Sequence, residues 1–427
     1  MTVNHDYSKR SVSTSIMSHH SPKSLRNTKP AKERFPLSLL CLTLGAFAIG
    51  MTEFIIMGLL PNVASYLGVT IPQAGQLITS YALGVAIGAP ILTIFTHKLP
   101  QKKLLVILMG IFILGNAVSV IAPTYLLLII ARVLTAFAHG TFLGVGTIIA
   151  ARLVPPDKRA GAVSVVLAGL TVANIIGVPF GTFIGQQLGW RASFGAITVL
   201  GIISLFGIIR FIPVIIQQET ANLREQVRGL LNPQVLLILL TGALGCGSLF
   251  ALFTYITPML QGITGFREQS VTWILVLFGV GVTLGNIAGG KLADWKLMPS
   301  LMVNFAVLAV VISTLTVTMS HPVLAVSNIF LWGIAAFGIM PGIQLRIMNL
   351  AHKAPLLATT SSHSALNLGN AAGAYLGGVA ISSFGLTSIP WLSAALAVLA
   401  LAGAWFSYAL TGGRRSSNAA PGDAPAA

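Results

Sequence analysis

Apolar runs separated by short polar connectors fill the chain from residue 36 to residue 410. About 20 apolar residues suffice for one helical crossing of a bilayer. The runs predict spans at roughly 36–61, 73–95, 103–122, 124–151, 162–187, 192–212, 233–260, 269–292, 298–319, 322–347, 357–383 and 389–410. Only Pro123 separates the third run from the fourth, but 103–151 is too long for one crossing and reads as two. In lipid every backbone N–H and C=O needs an internal partner, so runs of this kind form helices. The expectation is an all-α membrane protein with twelve transmembrane helices in two pseudo-symmetric six-helix bundles.

The polar segments place the divisions. Residues 1–35 are Ser-rich and basic and read as a disordered cytoplasmic tail. Ala46-Phe47-Ala48 resembles a signal-peptidase site, but the apolar run continues to Pro61 and reads as an uncleaved first span. Residues 36–212 form the first expected bundle and 233–410 the second. Between them, 213–232 carries Glu219, Arg224, Glu225 and Arg228 among Ile and Leu, a pattern suited to an amphipathic helix on the inner leaflet. Asn232-Pro233 reads as a cap and first-turn proline opening the seventh span. Residues 411–427 read as a disordered cytoplasmic end.

Charge then orients the pattern. With both termini inside, 22 of the 25 Lys and Arg fall in inside segments; only Arg191 and Arg267 lie outside, and Arg132 is intramembrane. Such asymmetry predicts a multi-pass protein of a bacterial-type inner (plasma) membrane with both termini cytoplasmic. The net charge of +16 does not point to nucleic acid, because the basic residues are scattered singly. Composition agrees with lipid as the solvent: 55% hydrophobic and 8% charged, with mean hydropathy +0.87. Cys41 and Cys246 lie inside apolar runs and read as free thiols, with neither a disulfide nor a metal site. No cofactor is expected, and a monomer is.

The halves repeat. Pro61 and Pro258 are 197 residues apart, as are Gly84-Val85-x-x-Gly88 and Gly281-Val282-x-x-Gly285. Asn174-x-x-Gly177-x-x-x-Gly181 recurs as Asn370-x-x-Gly373-x-x-x-Gly377 at an offset of 196. Three ordered matches point to a duplicated six-helix unit, an arrangement transporters use with the substrate near the repeat interface.

The candidate chemistry is sparse. Glu53 is an acid inside the first apolar run, and intramembrane ionisable residues mark pathways. It lies eight residues before Pro61, and Arg132 lies eight after Thr124, so both sit at about 12 Å depth and a contact is geometrically open. The pair reads either as a proton site or as a static ion pair fixing the helices. His139 is two turns beyond Arg132 on the same face and reads as a proton relay or as a neutral packing histidine. At the 197 offset Glu53 maps to Phe250 and Arg132 to Ile329, so the ionisable chemistry is confined to the first half. The second half offers Phe250, Phe253, Tyr255, Asn328, Gln344 and Asn367 as candidates for a substrate cavity. Asn174, Gly177, Pro179, Gly181 and Asn370 read as gating and helix-packing positions, with the glycines as smooth faces on which helices approach and slide. Pro90 and Pro179 are expected to kink their helices. No nucleophile–base pair, ligand cluster or nucleotide loop points to an enzyme or to ATP.

Several stretches together resemble a family. They are Gly50-Met51-Thr52-Glu53-Phe54 with Gly58-Leu59-Leu60-Pro61, Arg132-Val133-Leu134 with His139-Gly140, Ala173-Asn174 with Gly177-Val178-Pro179, Gly189-Trp190-Arg191, Gly289-Gly290-Lys291-Leu292-Ala293-Asp294, and Asn367-Leu368-Gly369-Asn370. Over residues 36–410 the chain resembles the major facilitator superfamily, in its twelve-span drug:proton antiporter branch and the arabinose-efflux-permease-like group. It departs in two places. The loop Thr96 to Lys103 keeps the family's basic end without its Asp, and Pro179 stands one residue away from the usual Gly-Pro. The resemblance implies a gate latch at Asp294 with Lys291 and Lys296. It implies a secondary active transporter that exchanges protons for a small organic solute such as a drug, sugar or purine, by alternating access. A uniporter or symporter of a sugar or nucleoside, or a transport-dead membrane sensor, is the alternative on the same fold.

Overall fold

The apolar runs form helices in a computed structural model of the chain, which describes residues 37–96, 99–214, 232–350 and 355–417. The expected tail at 1–35, residues 418–427 of the expected end at 411–427, and 215–231 of the expected linker lie outside the described residues, whereas 411–417 continue the last helix instead of forming a disordered end. Ten described helical segments are long and apolar enough to cross a membrane. One of them, Glu268–Thr318, runs for 51 residues, about 77 Å and more than two bilayer cores. It bends at Lys296, whose φ of −148° and ψ of 88° are non-helical, just before Pro299. It therefore supplies two crossings, and Pro355–Phe384 completes the set of twelve.

Numbered in chain order, span 1 is Leu37–Gly58 continued by Leu60–Leu67, span 2 Ile71–Thr96, span 3 Gln101–Ile121 and span 4 Tyr125–Arg152. Span 5 runs from Arg159 to Leu188 through a π-helical turn, and span 6 is Trp190–Phe211. Span 7 is Pro233–Phe253 continued by Ile256–Gly262. Spans 8 and 9 share Glu268–Thr318, span 10 is Pro322–Gly338 with Met340–Leu350, span 11 is Pro355–Phe384 and span 12 is Ile389–Ser417.

The prolines act differently from expectation. Pro61 does not end span 1. It sits in the first turn of the short helix that follows a break at Leu59, where its missing N–H costs nothing. Pro258 does the same after the break at Thr254 and Tyr255 in span 7, so the repeat seen in the sequence is a repeat of broken helices. Pro90 lies inside span 2, which continues helical to Thr96. Pro179 follows the π turn Ala173–Gly177; the widened turn relieves the clash of its ring with the preceding carbonyls. Asn232 caps span 7 as expected, its side-chain oxygen accepting from the Gln234 N–H at 3.0 Å with Pro233 in the first turn. Thr124 caps span 4 in the same way.

Glycine decides which helices touch. A Cβ on Gly177, Gly181 or Gly185 of span 5 would collide with Met51, Ile55 and Leu59, the four-residue ridge of span 1. A Cβ on Gly369 or Gly373 of span 11 would meet the backbone of Ala243 and Gly247 in span 7, and one on Gly377 would meet Tyr255. Span 5 thus packs on span 1 as span 11 packs on span 7. Small residues let lipid-embedded helices come this close. Outward faces are apolar: Phe180, Ile202, Val303, Val310 and Trp405 are all exposed. Cys41 and Cys246 are free thiols.

The two six-helix halves meet along two seams. In one, Gly279 of span 8 lies against the backbone of Asn174 and Ile175 in span 5. In the other, the Tyr255 hydroxyl donates to Ala374 O at 2.8 Å and reaches the space beside Gly75 of span 2 and Gly378 of span 11. Further contacts lie toward the end of the bundle away from Leu37 and Ser417. There Thr257 donates to Met57 O at 2.8 Å, and the Phe54 ring packs between Phe250 and Phe253 at centroid distances of 6.0 and 5.9 Å.

Candidate functional site

Span 1 is held on three sides, and that is what places its acid. Span 5 offers the glycine face. Span 3 offers Asn116, whose Oδ1 accepts from Thr52 Oγ1 at 2.7 Å while its Nδ2 donates to Phe112 O. Span 4 offers Arg132, whose Nη1 donates to Thr52 O at 2.6 Å. Glu53, the next residue, turns about 100° around the helix from Thr52 and points toward His139 instead. Its Oε2 lies 3.9 Å from His139 Nε2.

Four polar side chains from three spans form one buried cluster. Glu53 is 8% exposed, His139 5%, Arg132 1% and Tyr81 1%. The Tyr81 hydroxyl is 3.1 Å from His139 Nδ1. The guanidinium of Arg132 lies over the Tyr81 ring, 4.1 Å from its centroid, with Nε 3.5 Å from Leu77 O. Its Nη2 is buried without a partner.

A direct Glu53–Arg132 ion pair, open from the equal depth of the two residues, is not formed within 4.0 Å among the described residues. Depth alone does not set azimuth. Arg132 is occupied by carbonyls of spans 1 and 2 and by the Tyr81 face, and so ties spans 1, 2 and 4 together. A buried guanidinium with only neutral partners needs a compensating charge nearby. Glu53 is the acid of this cluster.

Sequence reasoning missed Tyr81, although a tyrosine in an apolar run three residues before Gly84 is a signal of the same kind as Glu53. Thr52 and Asn116 were missed too; each is ordinary alone and gains meaning only from the contact. At the 197 offset Tyr81 corresponds to Phe278, as Glu53 does to Phe250. The second half places an aromatic cluster where the first places the polar one. Phe253 and Phe278 stack at 4.7 Å, and Phe278 and Trp332 lie 4.7 Å apart, with Trp332 Nε1 buried and unpartnered. Phe54 joins the two clusters through its contacts with Phe250 and Phe253.

The remaining candidates separate. Phe250 and Phe253 belong to the aromatic cluster. Tyr255 is committed to Ala374 O at the span 7–span 11 contact. Asn328 faces Thr314 and Thr318 of span 9 in either orientation of its amide. Gln344 accepts from Ser362 Oγ at 3.1 Å. Asn367 Nδ2 donates to His363 O, and its Oδ1 is buried without a partner, as is that of Asn370. Asn174 Nδ2 donates within its own helix to Leu170 O. Lys291, Asp294 and Lys296 are exposed near the bend between spans 8 and 9, and Asp294 has no ion pair within 4.0 Å among the described residues. Among those residues no group of three His, Cys, Asp or Glu is placed to hold a metal ion.

Residues 42–361 match the profile of the Major Facilitator Superfamily. The chain belongs to that superfamily. It is 43% identical over 364 residues to the inner membrane transport protein YdhP of Escherichia coli K12, covering 85% of this chain and 94% of that protein. It is 35% identical to the putative transporter AraJ of the same strain, covering 81% and 88%. It is 33% identical to a chloramphenicol resistance protein of Streptomyces lividans, covering 86% and 95%. A bacterial homologue of the human lysosomal transporter Spinster, crystallised inward-facing and unoccupied, has the same fold, with a TM-score of 0.70, 15% identity and coverage of 87% and 96%. As a member of the superfamily the chain is a multi-pass membrane transporter of a small molecule, not an enzyme.

Proposed function

We propose that this transporter is a proton-coupled antiporter that exports a small organic solute, and that Glu53 carries the coupling proton. The supporting observation is the sealed contact of Glu53 with His139, backed by Tyr81 and Arg132. Ionised Glu53 compensates Arg132 and faces His139 Nε2 at 3.9 Å, beyond hydrogen-bond reach, while His139 Nδ1 lies within reach of the Tyr81 hydroxyl at 3.1 Å. A neutral imidazole has one donor and one acceptor nitrogen. A proton on Glu53 removes the negative charge that faces His139 and compensates Arg132. The cluster then carries uncompensated Arg132 charge, which disfavours burial and biases the halves toward the state that hydrates it.

Phe54 passes that bias to the second half. It follows Glu53 in the chain and touches the aromatic cluster directly. Stacked rings beside an unpartnered Trp332 N–H suit an apolar or aromatic solute with a hydrogen-bond acceptor. The likeness to a chloramphenicol resistance protein favours a drug-like solute. The basic-residue count supports cytoplasmic termini, and on that reading the end closed by Phe54 faces outward. Spans 5 and 11 would slide on their glycine faces during exchange. Asp294 with Lys291 and Lys296, exposed near the bend between spans 8 and 9, would latch the opposite end when the Phe54 end opens.

One arrangement favours a second reading. Arg132 is anchored to two backbone carbonyls, as in a static scaffold. If Glu53 only balances that scaffold, the protein is a uniporter or symporter. Proteoliposomes decide between the readings. Chloramphenicol, a pentose and a purine base are screened for thermal stabilisation of the pure protein, and the binder is followed under an imposed pH gradient. Antiport predicts accumulation against the solute gradient that collapses with a protonophore; counterflow untouched by the gradient would support the second reading.

A further inference from the structure

The end of the bundle away from the termini carries a polar crossing that the proton cluster does not use. Glu268 opens span 8 in the second half. Its Oε1 accepts from Asn62 Nδ2, at the end of span 1, at 2.7 Å. Its backbone oxygen accepts from Gln186 Nε2, at the end of span 5, at 3.1 Å. One turn further, Thr272 Oγ1 donates to Gln186 Oε1 at 3.0 Å. These three hydrogen bonds all run between the halves and converge on one helix start.

We propose that Glu268, with Asn62 and Gln186, is a latch that holds this end shut and sets how often it opens. Two features argue for a reversible latch over permanent glue. The first is position. Beneath it lies the apolar seal, where Gly58 abuts Leu275 and Phe54 packs between Phe250 and Phe253. Apolar faces exclude water but have little reason to stay in register in lipid, whereas directional bonds at the rim fix the register. The second is hydration. The latch floors an open pocket of about 430 Å³, lined by Asn62, Tyr66, Gln186, Trp190, Gln261 and Glu268. A carboxylate that water can reach exchanges protein partners for water at small net cost, so the bond breaks readily. A fully buried ion pair would instead lock the state.

The test uses the full-length pure protein and needs neither solute nor pH gradient, so its outcome is independent of the proton-coupling reading. Leu275→Cys, in a Cys41→Ala, Cys246→Ala background, places a thiol beneath the latch, and its alkylation by a bulky maleimide is timed. Glu268→Ala and Asn62→Ala are each expected to raise the rate about tenfold, the effect of losing roughly 1.4 kcal/mol. The double variant should match the singles, since they remove one bond. Glu268→Gln keeps an acceptor oxygen and should stay within about twofold of the parent. An unchanged rate in Glu268→Ala, or additive effects in the double variant, would overturn the proposal. Should the cysteine variant not fold, spin labels at exposed Leu188 and Ser320, one on each half, give the same reading. The distance distribution gains a longer component in Glu268→Ala if the latch is real and stays unchanged if it is not.

Discussion

At the scale of single residues, the informative fact is which group each buried polar atom faces. Glu53 was legible as a candidate because an acid in an apolar run is rare, with a static ion pair as the competing reading. Arg132 and His139 were legible for the same reason, and all three sit in one buried cluster. Their pairing was not legible, because one residue's difference along a helix changes azimuth by about 100°. Arg132 takes the carbonyl of Thr52 while Glu53 turns to His139. Tyr81 is the test of this arrangement. Tyr81→Phe keeps the ring under Arg132 and removes only the hydroxyl 3.1 Å from His139 Nδ1. Folding stability is expected to fall by about 1 kcal/mol, read as a modest drop in Tm. Gradient-driven transport is expected to slow by about tenfold while solute binding stays unchanged. Equal losses in both would make Tyr81 a packing residue.

At the scale of elements, the glycine faces carry the fold. The spacing Gly177, Gly181, Gly185 announced a close approach, but not its partner. The partner is the ridge Met51, Ile55, Leu59, which flanks Glu53. The proposed proton site is therefore mounted on a helix whose back rests against a surface without side chains. Gly181→Leu would drive a side chain into Ile55. It is expected to cost about 2–3 kcal/mol and to lower Tm by several degrees. Gly195, beside which a Cβ meets nothing within 4 Å, is the matched control and should accept leucine with little change. Helix breaks were half legible. Pro61 and Pro258 marked the right places, yet each opens a short helix instead of closing a long one, because a first-turn proline gives up no hydrogen bond. The π turn before Pro179 had a sequence sign, the displaced proline, whose meaning appeared only with the backbone.

At the scale of the whole molecule, duplication explains the division of labour. The offset that relates Pro61 to Pro258 also relates Glu53 to Phe250 and Tyr81 to Phe278. One repeat thus carries an acid and a tyrosine where the other carries phenylalanines. The twelve-span architecture was legible because lipid demands long apolar helices. The run Glu268–Thr318 is two helices joined at the non-helical Lys296, where the sequence expected two spans at 269–292 and 298–319. What no linear pattern displays is which end of the bundle is shut. That follows from contacts distant in sequence, such as Asn62 with Glu268, 206 residues apart.

The central claim is that the proton which drives export sits on Glu53. Glu53→Gln keeps the size and a hydrogen-bonding end while fixing the group neutral. The direct measurement compares pH-gradient-driven transport with solute counterflow in proteoliposomes of the parent and of Glu53→Gln. The account predicts that counterflow persists within a few-fold and that the response to the gradient is lost. Gradient-driven accumulation of parental size in Glu53→Gln would contradict it.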